Sequence, residues 1–377
     1  MIATTHVGSL PRPAGMIAKQ LKKEDISAAD MASYVAQVID RQLSLGLTQV
    51  NNGELPRIDY VSATVARIAG FNRRGTAPLP RDLEELPEYA RRFSGRNGLI
   101  TLNPKAPVQL PACSEPLSYQ GERSLQQELD MMTEAFRKTQ AGGDPVSGVS
   151  LFFTAPSPGT VALFLENRYY RDYQSYLEAL GSVLSREYEI IADSGVMLQI
   201  DCPDLAMGRH TRYKHLTDQQ FLSLIEHNID VLNRALGSID PQRCRAHICW
   251  GNYPGTHHCD IELDTIFDTI MKLKPMSISL ESCNHRHAHE HRIFAKRTLP
   301  ADKVLLPGVI DTTSNTVEHP ETVAERLRNF VSVLGPERVI ASTDCGFAST
   351  STAASVSGEI AWLKLGSLVE GARLADC

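Results

Sequence analysis

Four residues in the second half of the sequence have the character of metal ligands. His247 and Cys249 stand two apart in an apolar run at residues 245–250, and Glu281 and Cys345 each stand at the carboxyl end of another such run. Side chains alternate along a β-strand, so the strand that the run at 245–250 predicts would turn His247 and Cys249 to the same face. Two thiols, an imidazole and a carboxylate form a borderline-soft donor set, which suits zinc better than magnesium or calcium. These residues predict one zinc site, although each alone also fits a buried core position.

A scaffold must bring these distant segments together. Apolar runs rich in β-formers recur at residues 149–154, 196–201, 245–250, 276–281, 304–310 and 338–343. Apolar residues at three- and four-residue spacing predict intervening helices at residues 172–193, 217–236 and 318–334. Upstream, Ser27 and Asp30 form a capping-box pattern for a helix that reaches Leu45, and a strand is predicted around residues 47–50.

This β/α alternation predicts an α/β fold with a parallel sheet, either doubly wound or closed into a barrel. No Gly-x-Gly-x-x-Gly follows a first strand, which disfavours the dinucleotide-binding open sheet. A barrel needs about 250 residues, and the chain has 377. We expect a single (β/α)8 TIM barrel over residues 1–377, with an irregular insertion or cap at residues 66–145, where Pro, Arg and Gly are frequent.

Composition excludes several classes of function. Lysine and arginine total 38 against 44 aspartates and glutamates, a formal charge of −6, which disfavours binding to nucleic acid or to an anionic membrane. The amino-terminal residues lack the apolar core of a secretory signal, and no stretch is apolar enough to cross a membrane. We therefore expect a cytoplasmic protein in which thiols stay reduced.

Other cysteines and histidines receive no role at this stage. His257, His258 and Cys259 form a rival cluster after Pro254-Gly255, but we expect them to be exposed polar residues of a loop. The cysteines without a predicted role are Cys113, Cys244, Cys259, Cys283 and Cys377.

Further motifs surround the predicted ligands. In chain order the segments are His6-Val7-Gly8-Ser9-Leu10-Pro11, Asn52-Gly53-Glu54, Leu198-Gln199-Ile200-Asp201, His247-Ile248-Cys249-Trp250-Gly251-Asn252, Glu281 and Thr343-Asp344-Cys345-Gly346-Phe347. Through their order and spacing, most of the chain resembles the catalytic domain of cobalamin-independent methionine synthase and its zinc-dependent thiol-alkylating relatives. The chain has no room for the second, amino-terminal barrel of the full-length enzymes, so it resembles the short core form.

The resemblance implies a (β/α)8 barrel whose four predicted ligands bind one catalytic zinc. It also implies that Ser9, Glu54 and Asp201 hold the amino-acid part of homocysteine. Two carboxylates suit an ammonium group, and a turn at Gly8-Ser9 would offer N–H donors to a carboxylate. The alternative is that Ser9 only shapes a turn, while the two carboxylates cap helices or pair with arginines.

Zinc would serve such chemistry by activating a thiol. A thiol with a pKa near 8.5 is mostly protonated at neutral pH, and coordination removes its proton while sulfur stays nucleophilic. We expect a small thiol to attack a methyl or alkyl donor in one displacement, with homocysteine and 5-methyltetrahydrofolate, or its polyglutamate, as the default pair. Glu281 is the ligand most easily released when substrate enters, because carboxylate oxygen is the hardest donor present. The oligomeric state is not indicated.

Two departures from the family bear on the donor. Cys202 stands where the folate-using enzymes have an acidic residue, and Thr312 follows Asp311 where they have a histidine that is implicated in protonating the folate leaving group. A folate nitrogen leaves poorly without a positioned acid. A zinc-thiolate alkyltransferase like epoxyalkane:coenzyme M transferase, a C–S lyase and a non-catalytic zinc- or thiol-binding barrel therefore remain open.

The general acid is not identified by sequence. Alternate histidines after Glu281 would place His287 and His289 on one side of a strand-like loop, where they would donate protons or bind anions. Asp311, which follows a predicted strand, is a third candidate. A solvated polar loop is the alternative for the histidines.

Overall fold

The structure, a computed structural model, describes residues 2–92, 108–141, 148–348 and 355–376. In chain order the strands are β1 (Gln49–Val50), β2 (Ile68–Ala69), β3 (Arg73–Thr76), β4 (Gln109–Cys113), β5 (Ser118–Tyr119), β6 (Ser150–Pro156), β7 (Glu166–Asn167), β8 (Met197–Asp201), β9 (Cys244–Ile248), β10 (Ser277–Leu280), β11 (Val304–Ile310) and β12 (Ser342–Thr343). The helices are α1 (Ala14–Lys22), α2 (Ala28–Leu45), α3 (Tyr60–Arg67), α4 (Arg81–Glu85), α5 (Pro87–Arg92), α6 (Glu122–Ala141), α7 (Pro158–Phe164), α8 (Tyr173–Asp193), α9 (Asp218–Ala235), α10 (Leu263–Ile270), α11 (Pro320–Leu334) and α12 (Gly358–Ala375).

The main sheet is parallel and curled, with the strand order β1-β6-β8-β9-β10-β11-β12. Its central strands are buried on both faces because helices cover the outer side. The predicted α/β class is confirmed, and the curled sheet is consistent with a TIM-like barrel. Within the described ranges this sheet has seven regular strands rather than eight.

The amino-terminal residues contact both edges of this sheet. Thr5 N donates to Ala341 O at 2.8 Å, next to β12, and Gln49 N in β1 donates to Thr4 O at 3.0 Å. These two contacts attach the first residues of the chain to the first and last strands. The segment that carries Gly8 and Ser9 is thereby fixed near the ends of the strands.

The helices that the sequence predicts between strands of the main sheet are confirmed. Their terminal residues satisfy the free backbone N–H and C=O groups at the helix ends, as the sequence indicates. Ser27 and Asp30 form the capping box of α2, and Gly46 ends it in the left-handed region with φ +89°. Thr217 begins α9 with a second capping box, and Pro320 occupies the first turn of α11.

The segment at residues 66–145 is more regular than the sequence prediction. It contains β2 to β5, α4, α5 and the 20-residue helix α6, which packs on α2. The expectation of an irregular segment is wrong for α6, because Leu125, Leu129 and Met132 form a buried stripe at helical spacing. Residues 93–107 and 142–145 of the predicted insertion lie outside the described residues.

Buried ion pairs attach this segment to the main sheet. Glu128 in α6 accepts from Arg57 Nε at 3.1 Å and pairs with Arg67, and Arg67 also donates to Glu187 in α8 at 3.0 Å. Each charge has a partner, as burial requires. No helix of the described residues has the length and apolarity that a membrane span requires.

Candidate functional site

The carboxyl edge of the main sheet brings three of the predicted ligands together. His247 lies in β9, Cys249 follows that strand, and Cys345 stands two residues after β12. The ligand atoms of the three residues all lie within 4.8 Å of one another. His247 and Cys249 are buried, whereas Cys345 is partly exposed. His247 and Cys249 thus meet on one face, as alternation along the strand predicts.

The His247 ring is oriented for coordination. Nδ1 lies 3.1 Å from Ser279 Oγ in the neighbouring strand β10, and buried Nε2 has no hydrogen-bond partner among the described residues. Burial, assisted by the charge of Arg245, lowers the pKa of His247 to about 3, so the imidazole is neutral. A neutral ring with one nitrogen fixed and the other unpaired is typical of a metal ligand.

The donor set fits zinc. The hydrogen bond with Cys249, together with burial, raises the pKa of the Cys345 thiol well above its ordinary value. Zinc binding would replace the thiol protons with a metal ion, and it would satisfy the orphaned nitrogen of His247. One imidazole and two thiols leave room in a tetrahedral site for one further ligand.

Glu281 does not belong to this group of three. It follows β10 and lines the same cavity as Cys345, but its carboxylate is held by other donors. Trp250 N donates to Oε1 at 2.8 Å and Asn284 Nδ2 donates to Oε2 at 2.6 Å. Burial raises its pKa to about 7, against the lowering effect of His287. Coordination by Glu281 therefore stays a prediction.

Asp344 positions the loop that carries Glu281. Asp344 Oδ1 accepts from the backbone N–H of Ser282 at 2.8 Å and of Cys283 at 2.9 Å, and Oδ2 accepts from Asn284 N at 2.8 Å. This carboxylate joins the loop after β10 to the turn that carries Cys345. The sequence motif contained Asp344, but nothing in its spacing indicated these contacts.

The three predicted substrate-binding residues lie at the same edge. Burial, together with the charge of Glu54, raises the pKa of Asp201 to about 8, so the two carboxylates lie close enough to repel each other. Thr154 Oγ1 donates to Glu54 Oε1 at 2.7 Å. Ser9 borders the turn after Cys345, since a Cβ at Gly346 would lie 2.1 Å from Ser9 Oγ. Their role in substrate binding stays a prediction.

Gly8 supports a prediction about Glu54. Its φ is +154°, and a Cβ at this position would lie 2.5 Å from Glu54 Oε1. Gly8→Ala should therefore displace the carboxylate, and we expect the KM for a thiol amino acid to rise about tenfold while zinc content is unchanged. Kinetics and metal analysis of the same preparation would measure both.

The matched control is Gly195→Ala, at a glycine that also has a positive φ, +86°, but no atom within 4 Å of an added Cβ. This control separates backbone strain from displacement of Glu54. A Gly8→Ala protein with an unchanged KM would contradict a role for this carboxylate in binding.

A cavity of about 150 Å³ opens beside the ligand group. Residues that line it include His257, Glu281, His285, Asp311, Thr312 and Cys345. Burial opposes ionisation of Asp311, but hydrogen bonds from Thr313 at 2.7 Å hold its pKa below the usual range. Asp311 therefore faces the cavity as a carboxylate.

The predicted histidine pair does not face this cavity. The segment forms turns and a short 3-10 helix at Glu290–Ala295 instead of a strand-like loop, so His287 is buried and the side chain of His289 is 56% exposed. His287 lies between Asp260 at 3.0 Å and Glu290 at 2.8 Å. Burial opposes its charge, but these two hydrogen bonds raise its pKa to about 10. The expectation that the two histidines share one side is wrong.

His257 is also different from its prediction. Its side chain is only 12% exposed, and its ring lies 2.8 Å from Asp260 Oδ2 and 3.1 Å from Tyr253 O. Burial opposes its charge, but the hydrogen bond with Asp260 raises its pKa to about 9. A buried aspartate that the sequence did not single out explains why His257 is not an exposed loop residue.

The chain is similar to known proteins over most of its length. The sequence profile described as "Cobalamin-independent synthase, Catalytic domain" matches residues 154–360. Methionine synthase of Saccharolobus solfataricus is 24% identical over 384 residues, which cover 99% of this chain and 95% of that protein. Methionine synthase of Thermococcus kodakarensis is 24% identical over 382 residues, which cover 99% of this chain and 93% of that protein.

A solved structure has the same fold over the whole length. It is a B12-independent methionine synthase from a Shewanella species in complex with selenomethionine, with a TM-score of 0.71 and 19% identity. The match covers 100% of this chain and 98% of that one. The profile match described above spans more than half of the chain, including β8 to β12 and the segment of each predicted zinc ligand.

Proposed function

The chain belongs to the family of cobalamin-independent synthase catalytic domains, and we propose that it transfers a methyl group to the sulfur of a small thiol, homocysteine by default, with zinc as cofactor. The observation that carries the proposal is the group of the His247 ring and the Sγ atoms of Cys249 and Cys345 at the carboxyl edge of the sheet, with Nε2 of His247 unpaired among the described residues. This edge is where parallel α/β enzymes build their sites. Two relatives named methionine synthase support the reaction class, since the matches cover 95% and 93% of their lengths.

Zinc bound to these residues would lower the pKa of a substrate thiol and keep its sulfur nucleophilic at neutral pH. The protein's own contribution is rigid positioning. Ser279 fixes the His247 ring, while the backbone of Trp250 and the side chain of Asn284 keep Glu281 beside the cavity. Glu281 becomes the fourth ligand if it exchanges these hydrogen bonds for the metal.

The amino-acid part of the thiol substrate is proposed to bind next to this group. An ammonium between Glu54 and Asp201 would offset burial and the charge of Glu54, which together raise the pKa of Asp201. The backbone at Gly8-Ser9 would supply N–H donors for the substrate carboxylate. The hydrogen bond from Thr154 to Glu54 and the one from Gln199 to Asp201, each 2.7 Å, hold the two carboxylates for this purpose.

The methyl donor is a finer part of the proposal. In the described chain, Thr312 Oγ1 donates to Asn252 Oδ1 at 3.1 Å at the cavity wall, so this position holds a hydroxyl where the folate-using enzymes have an imidazole. This favours, as a second candidate, a thiol alkyltransferase that takes an electrophile needing less protonation, such as a strained epoxide. His285 and Asp311 both line the cavity; His285 is the candidate proton donor in either reaction, because Asp311 is already ionised.

A substrate panel tests the proposal. Zinc-loaded and zinc-stripped protein would each be given homocysteine or coenzyme M, combined with 5-methyltetrahydrofolate or an epoxyalkane, and products would be identified by mass spectrometry. Zinc-dependent methionine formation supports the default, and turnover only with an epoxide selects the second candidate. Thiol binding without turnover on any donor would contradict the proposed reaction and favour a non-catalytic, thiol-binding barrel.

Ser279 supports a prediction about metal affinity. Ser279→Ala removes the partner of His247 Nδ1 without touching a ligand, so the ring loses its fixed orientation. We expect zinc to bind about 10- to 100-fold more weakly. Competition with a chromophoric chelator would measure the affinity.

The control for this change is Ser277→Ala, a buried serine in the same strand two residues earlier. Equal zinc affinity in Ser279→Ala and wild-type protein would contradict the proposed role of Ser279 in orienting the His247 ring for the metal.

Three further predictions from the sequence are part of the proposal: an eight-stranded barrel, one domain over residues 1–377 with a cap in the first third, and a cytoplasmic location. The contacts of Thr4 and Thr5 with both edges of the sheet support closure, because these residues occupy the place of an eighth strand. Two buried ion pairs support one domain: Arg57 with Glu128 attaches α6 to the segment after β1, and Arg67 with Glu187 attaches the cap to α8.

A further inference from the structure

A second group of donors lies outside the site described above. Glu85 at the end of α4 meets His258 and Cys259 of the loop between β9 and α10, and their ligand atoms all lie within 4.8 Å of one another. Glu85 Oε2 is 2.9 Å from His258 Nε2 and 3.8 Å from Cys259 Sγ. The group borders a surface cavity of about 410 Å³. We propose that Glu85, His258 and Cys259 form a second, peripheral zinc-binding site.

The spacing of the donors is close to that of a zinc site. Tetrahedral zinc, with bonds of about 2.0 Å to oxygen or nitrogen and about 2.3 Å to sulfur, separates an oxygen from a sulfur by about 3.5 Å and from a nitrogen by about 3.3 Å. The observed separations of 3.8 and 2.9 Å differ from these values by about 0.3 and about 0.4 Å. Side chains that are 42% and 44% exposed, as those of Glu85 and His258 are, can make this adjustment.

Two of the three donor atoms are oriented by residues outside the group. His258 Nδ1 lies 2.7 Å from Thr256 Oγ1, which leaves Nε2 directed at Glu85. Arg81 Nε donates to Glu85 Oε1 at 2.8 Å, so Oε2 is the oxygen that faces His258 and Cys259. Orientation of an imidazole through its second nitrogen is the arrangement found around metal-bound histidines.

The two segments that carry the donors are held together independently of any ion. Asp82 in α4 is fully buried and accepts from Tyr253 Oη at 2.9 Å, from His257 N at 3.0 Å and from Thr256 N at 3.2 Å. The donors therefore do not have to be brought together by the metal, which lowers the entropic cost of binding it.

An imidazole, a thiol and a carboxylate form a borderline-soft set that selects zinc over magnesium or calcium. Three protein ligands leave one position for water. The ion would join α4 to the loop whose residues 251–257 line the cavity of the first site. The ion would therefore connect the cap segment to that loop. This second site does not depend on the proposed reaction.

Zinc counting tests the second site. The protein would be stripped with a chelator, reloaded with zinc alone, desalted and measured by inductively coupled plasma mass spectrometry. We expect two zinc ions in the wild type, one in Cys259→Ser and one in His258→Gln. The double variant Cys249→Ser/Cys345→Ser, which has neither thiol of the first site, should retain one, and adding Cys259→Ser to it should leave none.

The control is Glu262→Gln, which alters another surface group of donors, Glu262, His289 and Glu290, and should keep two zinc ions. Cobalt loading gives a second readout, because a thiolate-to-cobalt absorption band should persist in Cys249→Ser/Cys345→Ser and disappear with Cys259→Ser. An unchanged count in Cys259→Ser, or no zinc in Cys249→Ser/Cys345→Ser, overturns the second site. Failure of the first site alone would instead give one ion in the wild type and none in Cys259→Ser.

Discussion

Replacement of Cys345 by serine is expected to remove zinc from the first site and to reduce kcat/KM for methyl transfer to homocysteine by about 10³-fold or more. A serine hydroxyl does not ionise to bind zinc as a thiolate does, so the site would retain one imidazole and one thiol. Without the ion a substrate thiol stays mostly protonated at neutral pH. Zinc content and kcat/KM, measured on the same sample, should fall together.

The matched control for this change is Cys244→Ser. Cys244 is a buried cysteine at the start of β9, the strand that carries His247, but it does not belong to the group of ligand atoms. Its replacement should cost some stability and leave zinc content and kcat/KM near the wild-type values. Full activity in a Cys345→Ser protein that lacks zinc at the first site would disprove the proposed role of the metal.

Asp201→Asn is expected to weaken homocysteine binding and to stabilise the fold. Loss of one of two carboxylates around the substrate ammonium should raise KM about 10- to 100-fold, as expected for a charged hydrogen bond of about 1.5–3 kcal/mol. The sharpest comparison uses 4-mercaptobutyrate, which is homocysteine without the amino group. Its KM should change little, so the preference for homocysteine should shrink.

The effect of this substitution on stability depends on pH. The pKa of Asp201 is about 8 in the folded protein and about 3.9 in an unfolded chain. The folded state therefore binds the proton more tightly, and wild-type stability declines as pH rises from about 4 to about 8. Asparagine has no proton to lose, so Asp201→Asn should gain over wild type as pH rises above about 4, by up to about 1–3 kcal/mol at pH 8 and by only a small part of that at pH 5.

Urea unfolding of both proteins at pH 5, 6.5 and 8 would measure this difference. Glu54→Gln is the companion variant, because removal of its charge should lower the pKa of Asp201 and flatten the same pH dependence. A constant difference between Asp201→Asn and wild type across pH, or an unchanged KM for homocysteine, would contradict the pairing of these two carboxylates.

The sequence predicted the parts of the structure that depend on local patterns. Capping residues such as Ser27 and Thr217 located helix starts, because they satisfy backbone N–H groups within their own helix. His247 and Cys249 could be placed on one face since strand periodicity is two. Cys345 could be assigned to the same site because the carboxyl ends of parallel strands share one edge of the sheet. The structure holds Cys345 at that edge, beside His247 and Cys249.

Contacts between distant segments could not be predicted in this way. Nothing near Ser279 in the sequence indicates that its hydroxyl meets His247, which is 32 residues away. Glu281 was predicted as a ligand from donor type, but its place outside the ligand group depends on a backbone N–H of Trp250 and on Asn284. His287 is buried because Asp260 and Glu290 compensate its charge, and that pairing is tertiary as well.

Some of the missed features had a signal. The buried stripe of α6 was visible as apolar residues at Leu125, Leu129 and Met132, although flanking Pro and Gly obscured it. His258 is exposed in a loop, as expected, but the sequence does not indicate that His258 and Cys259 meet Glu85, which lies more than 170 positions earlier in the chain. The composition of a single segment cannot reveal a donor group that two segments share.

Zinc K-edge absorption fine structure, recorded with and without homocysteine, tests the central claim most directly. The Cys259→Ser variant should be used so that only the first site contributes. We expect two sulfur atoms at about 2.3 Å and nitrogen or oxygen at about 2.0–2.1 Å in the free protein, and a third sulfur at about 2.3 Å once homocysteine is added. A zinc environment without sulfur, or one with two sulfur atoms that homocysteine at saturating concentration does not change, would contradict it.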